Sequence, residues 1–297
     1  MDKNNQIIAT SLVLRVCRAD FSSHAGFVWP SNAGDTVEAP DWNAIPECGY
    51  GLHGWLDGIG DVSCVDYWRD KSARWLVLAV QTTDIVMLYR KCKFPRATVV
   101  HVGDICSAGS YIEAHSHTAN RATIIGATHT DRSTNGHAAV GALGTATAGH
   151  SGTATAGDYG TATAGDYGTA TAGYSGTATA GDSGTATAGH YGTATAGYSG
   201  TATAGYSGTA TAGDYGELRI SWYDHDQARK RTVIGYVGED GILANMPYRL
   251  DANHRLQPVE QITDGSEVAG WTTRRFCARQ YPGSWPLQPK LVPPFTA

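Results

Sequence analysis

Two groups of side chains have types and spacing suited to chemistry. One is a single histidine, His53, in the stretch ECGYGLHGW at 47–55, where glycines flank Leu52 and His53 and let the backbone approach a ligand. An imidazole there titrates near neutral pH and suits acid or base work, although a histidine in a glycine turn more often serves structure. Cys48, His53 and Cys64 lack a fourth ligand at sensible spacing, so no metal site is expected. His115, His117, His129 and His137 form a second cluster, read as solvated polar residues that replace threonines. The six cysteines (Cys17, Cys48, Cys64, Cys92, Cys106, Cys277) show no CxxC pair, which suits buried reduced thiols rather than a disulfide framework.

The other group is far larger and consists of hydroxyls. Threonines recur as pairs two residues apart: Thr145 with Thr147, Thr153 with Thr155, Thr161 with Thr163, Thr169 with Thr171, Thr177 with Thr179, Thr185 with Thr187, Thr193 with Thr195, Thr201 with Thr203, and Thr209 with Thr211. They belong to an octad, G-T-A-T-A-G-x-x, whose T-A-T-A segment alternates with period two and therefore reads as a short strand. Eight residues are too few to close a coil, so two octads are expected to make one flattened coil of 16, with a strand on each side. Alanines then point inward and threonines outward. The corner glycines are expected to supply positive φ or close approach.

Stepping back in eights carries the pattern to Asp104 and predicts 14 octads, 104–215, in seven coils, a rod of roughly 34 Å at about 4.8 Å per rung. In this reading Cys106, Ala114, Ala122 and Ala138 fall on the inward alanine position. The two free positions of each octad hold at most one tyrosine. Tyr159, Tyr167, Tyr174, Tyr191, Tyr198, Tyr206 and Tyr215 are expected to line an edge as a tyrosine ladder, either as a dimer surface or as shielding against edge-to-edge aggregation.

The flanks must hold and seal this rod. Residues 1–103 carry short apolar strands and read as an α+β domain, with YWRDKSAR at 67–74 a candidate short helix. Residues 216–260 read as a β cap built on ELRISWYD and KRTVIGYVGEDGI around a polar turn. Residues 261–297, with Trp271, Trp285 and five prolines, read as an extended arm.

Charge narrows the function classes. The formal net charge is −5, and 104–215 holds Asp104, Glu113, Asp131, Asp158, Asp166, Asp182 and Asp214 against only Arg121 and Arg132. No basic stripe neutralises phosphates, so no nucleic-acid partner is expected. The polar start and the absence of any long apolar run predict a cytoplasmic protein with no membrane partner.

The octad AGYSGTAT at 196–203 resembles the A-G-Y-G-S-T-x-T octapeptide of bacterial ice-nucleation proteins. The whole order is also similar to phage and bacterial proteins that set a GTATAGDxG array between two globular ends. In those, KFPRATVVHVGD (93–104) precedes the array and SWYDHDQARKRTVIGYVGEDGILANMPYRLD (221–251) follows it. The first resemblance implies that outward T-x-T rows order water on an ice-like grid, and the threonine pairs above match that motif. Nine pairs on two sides leave four or five rungs per face, whereas the nucleators it resembles use very long arrays. The 47–55 stretch, with LRVCRAD at 14–20, is similar to the central strands of small ADP-ribosyltransferase-like domains. That resemblance implies that Arg18 and His53 hold a nicotinamide dinucleotide, with no third residue of the set apparent.

The expectation is therefore a mainly β protein: a β-solenoid of octapeptide repeats between an α+β domain and a β cap. Its leading function is non-enzymatic and needs no cofactor. The solenoid presents threonine arrays and a tyrosine edge for self-association, a dimer first, or for binding a protein partner. Ice binding and nucleotide binding by the N-terminal domain are the alternatives.

Overall fold

The computed structural model describes residues 9–65, 67–119 and 121–259; the proline-containing tail at 261–297 lies outside them. The chain begins with a seven-stranded antiparallel sheet. In spatial order its strands are Thr36–Glu38, Arg96–Gly103, Arg74–Gln81, Thr10–Cys17, Leu52–Leu56, Cys92–Phe94 and Val86–Met87. The two central strands, TSLVLRVC and RWLVLAVQ, are apolar without alternation because both sheet faces are covered. One face carries Val13, Leu76, Leu78, Phe94 and Val99 in a core of its own. Leu14, Val16, Trp55, Trp75 and Val77 lie in a second core that continues into the alanine column of the solenoid.

Between sheet and solenoid lies a helix, Ile105–His115, whose buried residues are Ala108, Gly109 and Ile112. Asp104 caps it by accepting a hydrogen bond from the Ser107 amide at 2.8 Å. The octads expected at 104–119 are thus helical rather than extended, and Cys106 and Ala114 are not inward strand positions. The reason is periodic. A helix of 3.6 residues per turn repeats its face after seven or eight residues, so stepping in eights matches a helix as readily as a coil. Tyr67–Arg69, inside the candidate helix at 67–74, forms a single 3-10 turn.

Regular coils begin at Thr128, and there are six rather than seven. Odd and even strands form two parallel sheets. One runs Thr128–Asp131, Thr145–Ala148, Thr161–Ala164, Thr177–Ala180, Thr193–Ala196, Thr209–Ala212. The other runs His137–Val140, Thr153–Ala156, Thr169–Ala172, Thr185–Ala188, Thr201–Ala204, and then the start of Glu217–Asp224. Partners are 16 residues apart except at the first step, where Thr128 pairs with Thr145. That coil holds 17 residues, the extra one lying in the 132–136 corner. Stepping back in eights therefore loses phase there. Ala146 to Ala212 are buried throughout the inner positions, at 0–4% exposure, so methyl groups fill the interior and threonines face out.

The corners differ from the expectation in one respect. From Gly149 on, each runs G-x-x-G with the second glycine amide bonded to the first glycine carbonyl, as Gly176 to Gly173 at 3.1 Å. The residue with positive φ is the one at the eighth octad position: Ser151, Tyr159, Tyr167, Ser175, Ser183, Tyr191, Ser199, Ser207 and Tyr215, at 50–59°. These are the φ signs of a type II turn, whose third residue favours glycine or asparagine. The corner glycines answer to stacking instead: a Cβ on Gly189 would lie 2.7 Å from the Gly173 carbonyl oxygen one coil below. Coils at strand spacing leave no room there for a side chain.

The far end is closed by larger residues and antiparallel pairing. Leu218 and Ile220 replace the last inward alanines. Strand Arg229–Tyr236 pairs along Glu217–Asp224, and Tyr248–Leu250 pairs with the last T-A-T-A strand of the other sheet, itself backed by Leu256–Pro258. The Val237 and Asn245 amides donate to the carbonyls of Gly216 and Ala212 at 3.0 and 2.8 Å, so part of the final rung is satisfied by backbone partners. Among the described residues no helix is long and apolar enough to cross a membrane.

Candidate functional site

The threonines form two arrays of unequal length. On one face the pairs Thr145/Thr147, Thr161/Thr163, Thr177/Thr179, Thr193/Thr195 and Thr209/Thr211 stack in register. Thr128 and Thr130 extend this face by one rung, since they pair with Thr145 and Thr147. Six rungs at about 4.8 Å place the first and last about 24 Å apart. The 17-residue coil takes Thr128 and Thr130 out of the octad phase, although their own T-x-T spelling marks them.

The opposite face holds four such rungs: Thr153/Thr155, Thr169/Thr171, Thr185/Thr187 and Thr201/Thr203. His137 and Ala139 occupy the rung before them. Glu217 and Arg219, paired with each other at 2.8 Å, occupy the rung after. The six-rung face also has a boundary. Arg249 of the cap donates to the Thr209 hydroxyl at 2.7 Å and leaves that threonine buried. The remaining outward threonines are exposed or half-buried, so most of both arrays meets solvent.

Two edges separate the faces, and the tyrosines divide between them. Along one edge the rings of Tyr159, Tyr174, Tyr191 and Tyr206 follow each other at 5.5, 5.4 and 6.0 Å with interplanar angles of 73°, 62° and 89°, a favourable edge-to-face geometry. Trp68 of the N-terminal unit meets Tyr159 at 4.5 Å and closes this series at one end. The alternation of seventh and eighth positions, Tyr159 then Tyr174 then Tyr191 then Tyr206, turns successive rings edge to face. On the other edge His150 meets Tyr167 and Tyr198 meets Tyr215, each at 5.4 Å, with Asp182 and Ser183 on the rung between the two pairs.

Aspartates at the seventh position have a structural role. Asp158, Asp166 and Asp182 each accept the backbone amide of the seventh residue one coil above, at 2.8, 3.0 and 2.8 Å. They thereby satisfy amides that the strand ladders do not reach.

In the N-terminal unit, Arg18 and His53 are both engaged within the fold. The Arg18 guanidinium donates to the Ser23 carbonyl at 3.0 Å and lies 4.8 Å from the centre of the Tyr67 ring. His53, on Leu52–Leu56, lies opposite Lys93 in the sheet, and its Nε2 accepts from the Gly49 amide at 3.4 Å. Burial, with Lys91 and Arg15 nearby, pushes its pKa down to about 4, so the ring is neutral at physiological pH. The guanidinium in contact with His53 is that of Arg15, which donates to the His53 carbonyl at 3.1 Å and to the Tyr67 hydroxyl at 3.2 Å. The LRVCRAD stretch contains Arg15, but the resemblance points to Arg18, and Arg15 stands within an apolar strand.

The cysteines with described surroundings are unpaired. Cys17 and Cys92 are buried, and burial raises their thiols to about 11 and about 12; Cys48 and Cys106 are exposed, contrary to the expectation of buried thiols. His129 and His137 lie in the first coil, with His129 Nδ1 accepting the Ala139 amide at 3.2 Å. Among the described residues no group of three or more His, Cys, Asp or Glu is arranged to hold a metal ion.

No family model matches the chain, and no solved structure matches it. Curated proteins do. An ice nucleation protein of Pseudomonas syringae is 41% identical over 106 residues, 35% of this chain and 9% of its own length. Ice nucleation protein InaU of Pantoea ananas is 34% identical over 106 residues, 35% of this chain and 10% of its own. An ice nucleation protein of Xanthomonas campestris pv. translucens is 39% identical over 111 residues, 37% and 7%. The chain thus spans about a tenth or less of the length of these relatives. Within that span, its octapeptide solenoid is homologous to the repeat region of ice nucleation proteins.

Proposed function

We propose that the solenoid is a water-ordering surface that engages ice through its six-rung threonine face. The observation that carries this reading is the in-register stack of T-x-T pairs from Thr128/Thr130 to Thr209/Thr211. A flat strand face fixes hydroxyls and methyls about 6.6 Å apart along each rung and about 4.8 Å apart between rungs. β-Branched threonine has few rotamers, so little side-chain entropy is lost when the array orders water. Similarity to proteins named for ice nucleation supports the same reading. The small extent of the face favours binding to existing ice over nucleation.

Ice recrystallisation assays on the whole chain test this. The native protein is expected to restrain crystal growth. Replacing Thr163, Thr179 and Thr195 by lysine should remove most of that effect while circular dichroism stays unchanged. The matching change at Thr155, Thr171 and Thr187 on the four-rung face should weaken it less. Unaltered crystal growth with the native protein, or equal activity in the first variant, would overturn the reading.

A second reading, self-association along the corners, rests on the exposure of Tyr167, Tyr198 and Tyr215, at 65%, 51% and 76%. Tyrosine offers a large amphipathic contact, and exposed rings along one edge suit a two-fold interface between copies. Sedimentation mass should fall from dimer to monomer when these three become serine. A native monomer would exclude it.

A further inference from the structure

We infer that the N-terminal sheet carries a binding site for a small phosphate ester at the joined cluster of Arg15, His53, Lys91 and Lys93. This site is separate from the solenoid faces and does not depend on their function.

The cluster is held together by one loop and one strand. Lys93 is fully buried; its ammonium donates to the Gly49 carbonyl at 3.2 Å and faces the Trp42 ring at 5.8 Å. The Gly49 amide donates to His53, and the His53 carbonyl accepts from Arg15. Lys91 reaches the Cys48 sulfur at 3.1 Å at the lip of the same loop. Arg15 thus meets the main chain of His53, Lys93 lies opposite His53 in the sheet, and Lys91 stands at the same loop.

What these cations lack is a counter-charge. None of Arg15, Lys91 and Lys93 forms an ion pair among the described residues, and Arg15 Nε is enclosed with no hydrogen-bond partner. The Gly49 and His53 carbonyls supply dipoles but no formal counter-charge. Burying unpaired cations is costly, and a donor left bare is costly again. An oxyanion answers both needs with charge-assisted bonds. Three positive charges match a dianionic phosphate better than a single carboxylate.

The approach is built from an unusual backbone. Gly49, Tyr50 and Gly51 take φ of +101°, +52° and +138° in succession, and a Cβ at Gly51 would lie 2.8 Å from the Trp42 ring. Strained backbone of this kind persists where its surroundings over-determine it, as they do at ligand clamps. Cys48 and Tyr50 at its rim are exposed, so the loop lies between the cluster and solvent.

The test is thermal unfolding and calorimetry of the full chain titrated with inorganic phosphate, against sodium chloride and sodium acetate at equal ionic strength. A saturable rise in Tm with phosphate alone is expected. Lys93→Met should weaken phosphate binding by about tenfold or more without lowering the phosphate-free Tm, since it removes an unpaired buried charge. Lys91→Met, at a half-buried position, should weaken binding as well and serves if the first variant does not fold. An equal shift with chloride, an equal response to acetate, or native phosphate affinity in a folded variant would overturn the assignment.

Discussion

The solenoid and the sheet that precedes it bury apolar surface by opposite means. In the sheet, Leu14, Trp55, Leu76, Leu78 and Phe94 fill two cores with bulk, so each side chain displaces much water. In the solenoid the interior is almost entirely methyl groups of alanine, with glycine at every corner. Close approach of backbone to backbone takes the place of bulk there. A large core thus depends on what each side chain adds, whereas a narrow coil depends on what each position leaves out.

That contrast sets the order of mutational effects. Gly181→Val places a Cβ 2.7 Å from the Asp166 amide and 2.9 Å from the Gly165 carbonyl carbon. It should cost about 4 kcal/mol or more, seen as a large drop in denaturant midpoint. A mild effect would mean that coils can spread, and the comparison would fail. Leu76→Ala in the sheet should cost about 3 kcal/mol by leaving a cavity, read in the same titration.

A pH series separates the two regions further. His53 has a folded pKa of about 4 against 6.5 for the free side chain. Its neutral form is favoured by folding, so its contribution is complete above pH 6.5 and is lost as pH falls from 6.5 towards 4. Stability of the native chain should therefore drop over that window more than that of His53→Gln, by denaturation at fixed pH values. The smallest effect is a gain. Ser175→Asn suits the φ of 50° at that corner and should add about 0.5 kcal/mol, visible as a slightly higher Tm.

The same contrast explains what could be read from sequence. Octads with T-A-T-A spelling announce strand, direction and coil length, because period two and a 16-residue closure leave little choice. The slip at 128–136 and the helix at Ile105–His115 were not legible by stepping in eights. One hides a single added residue, and the other shares the same recurrence. The threonine faces follow from alternation, yet their unequal length depends on register and on where Glu217 and Arg219 enter the ladder. In the sheet, His53 stood out by type. Arg15 and Lys93 did not, since only pairing across strands brings distant cations together.

The left-handed corners carry a last consequence. Glycine or asparagine at the eighth position would ease every turn, yet nine successive corners hold serine or tyrosine there. The strain of those turns is thus the condition for an edge on which tyrosine rings stack from storey to storey, a contact that glycine would forgo.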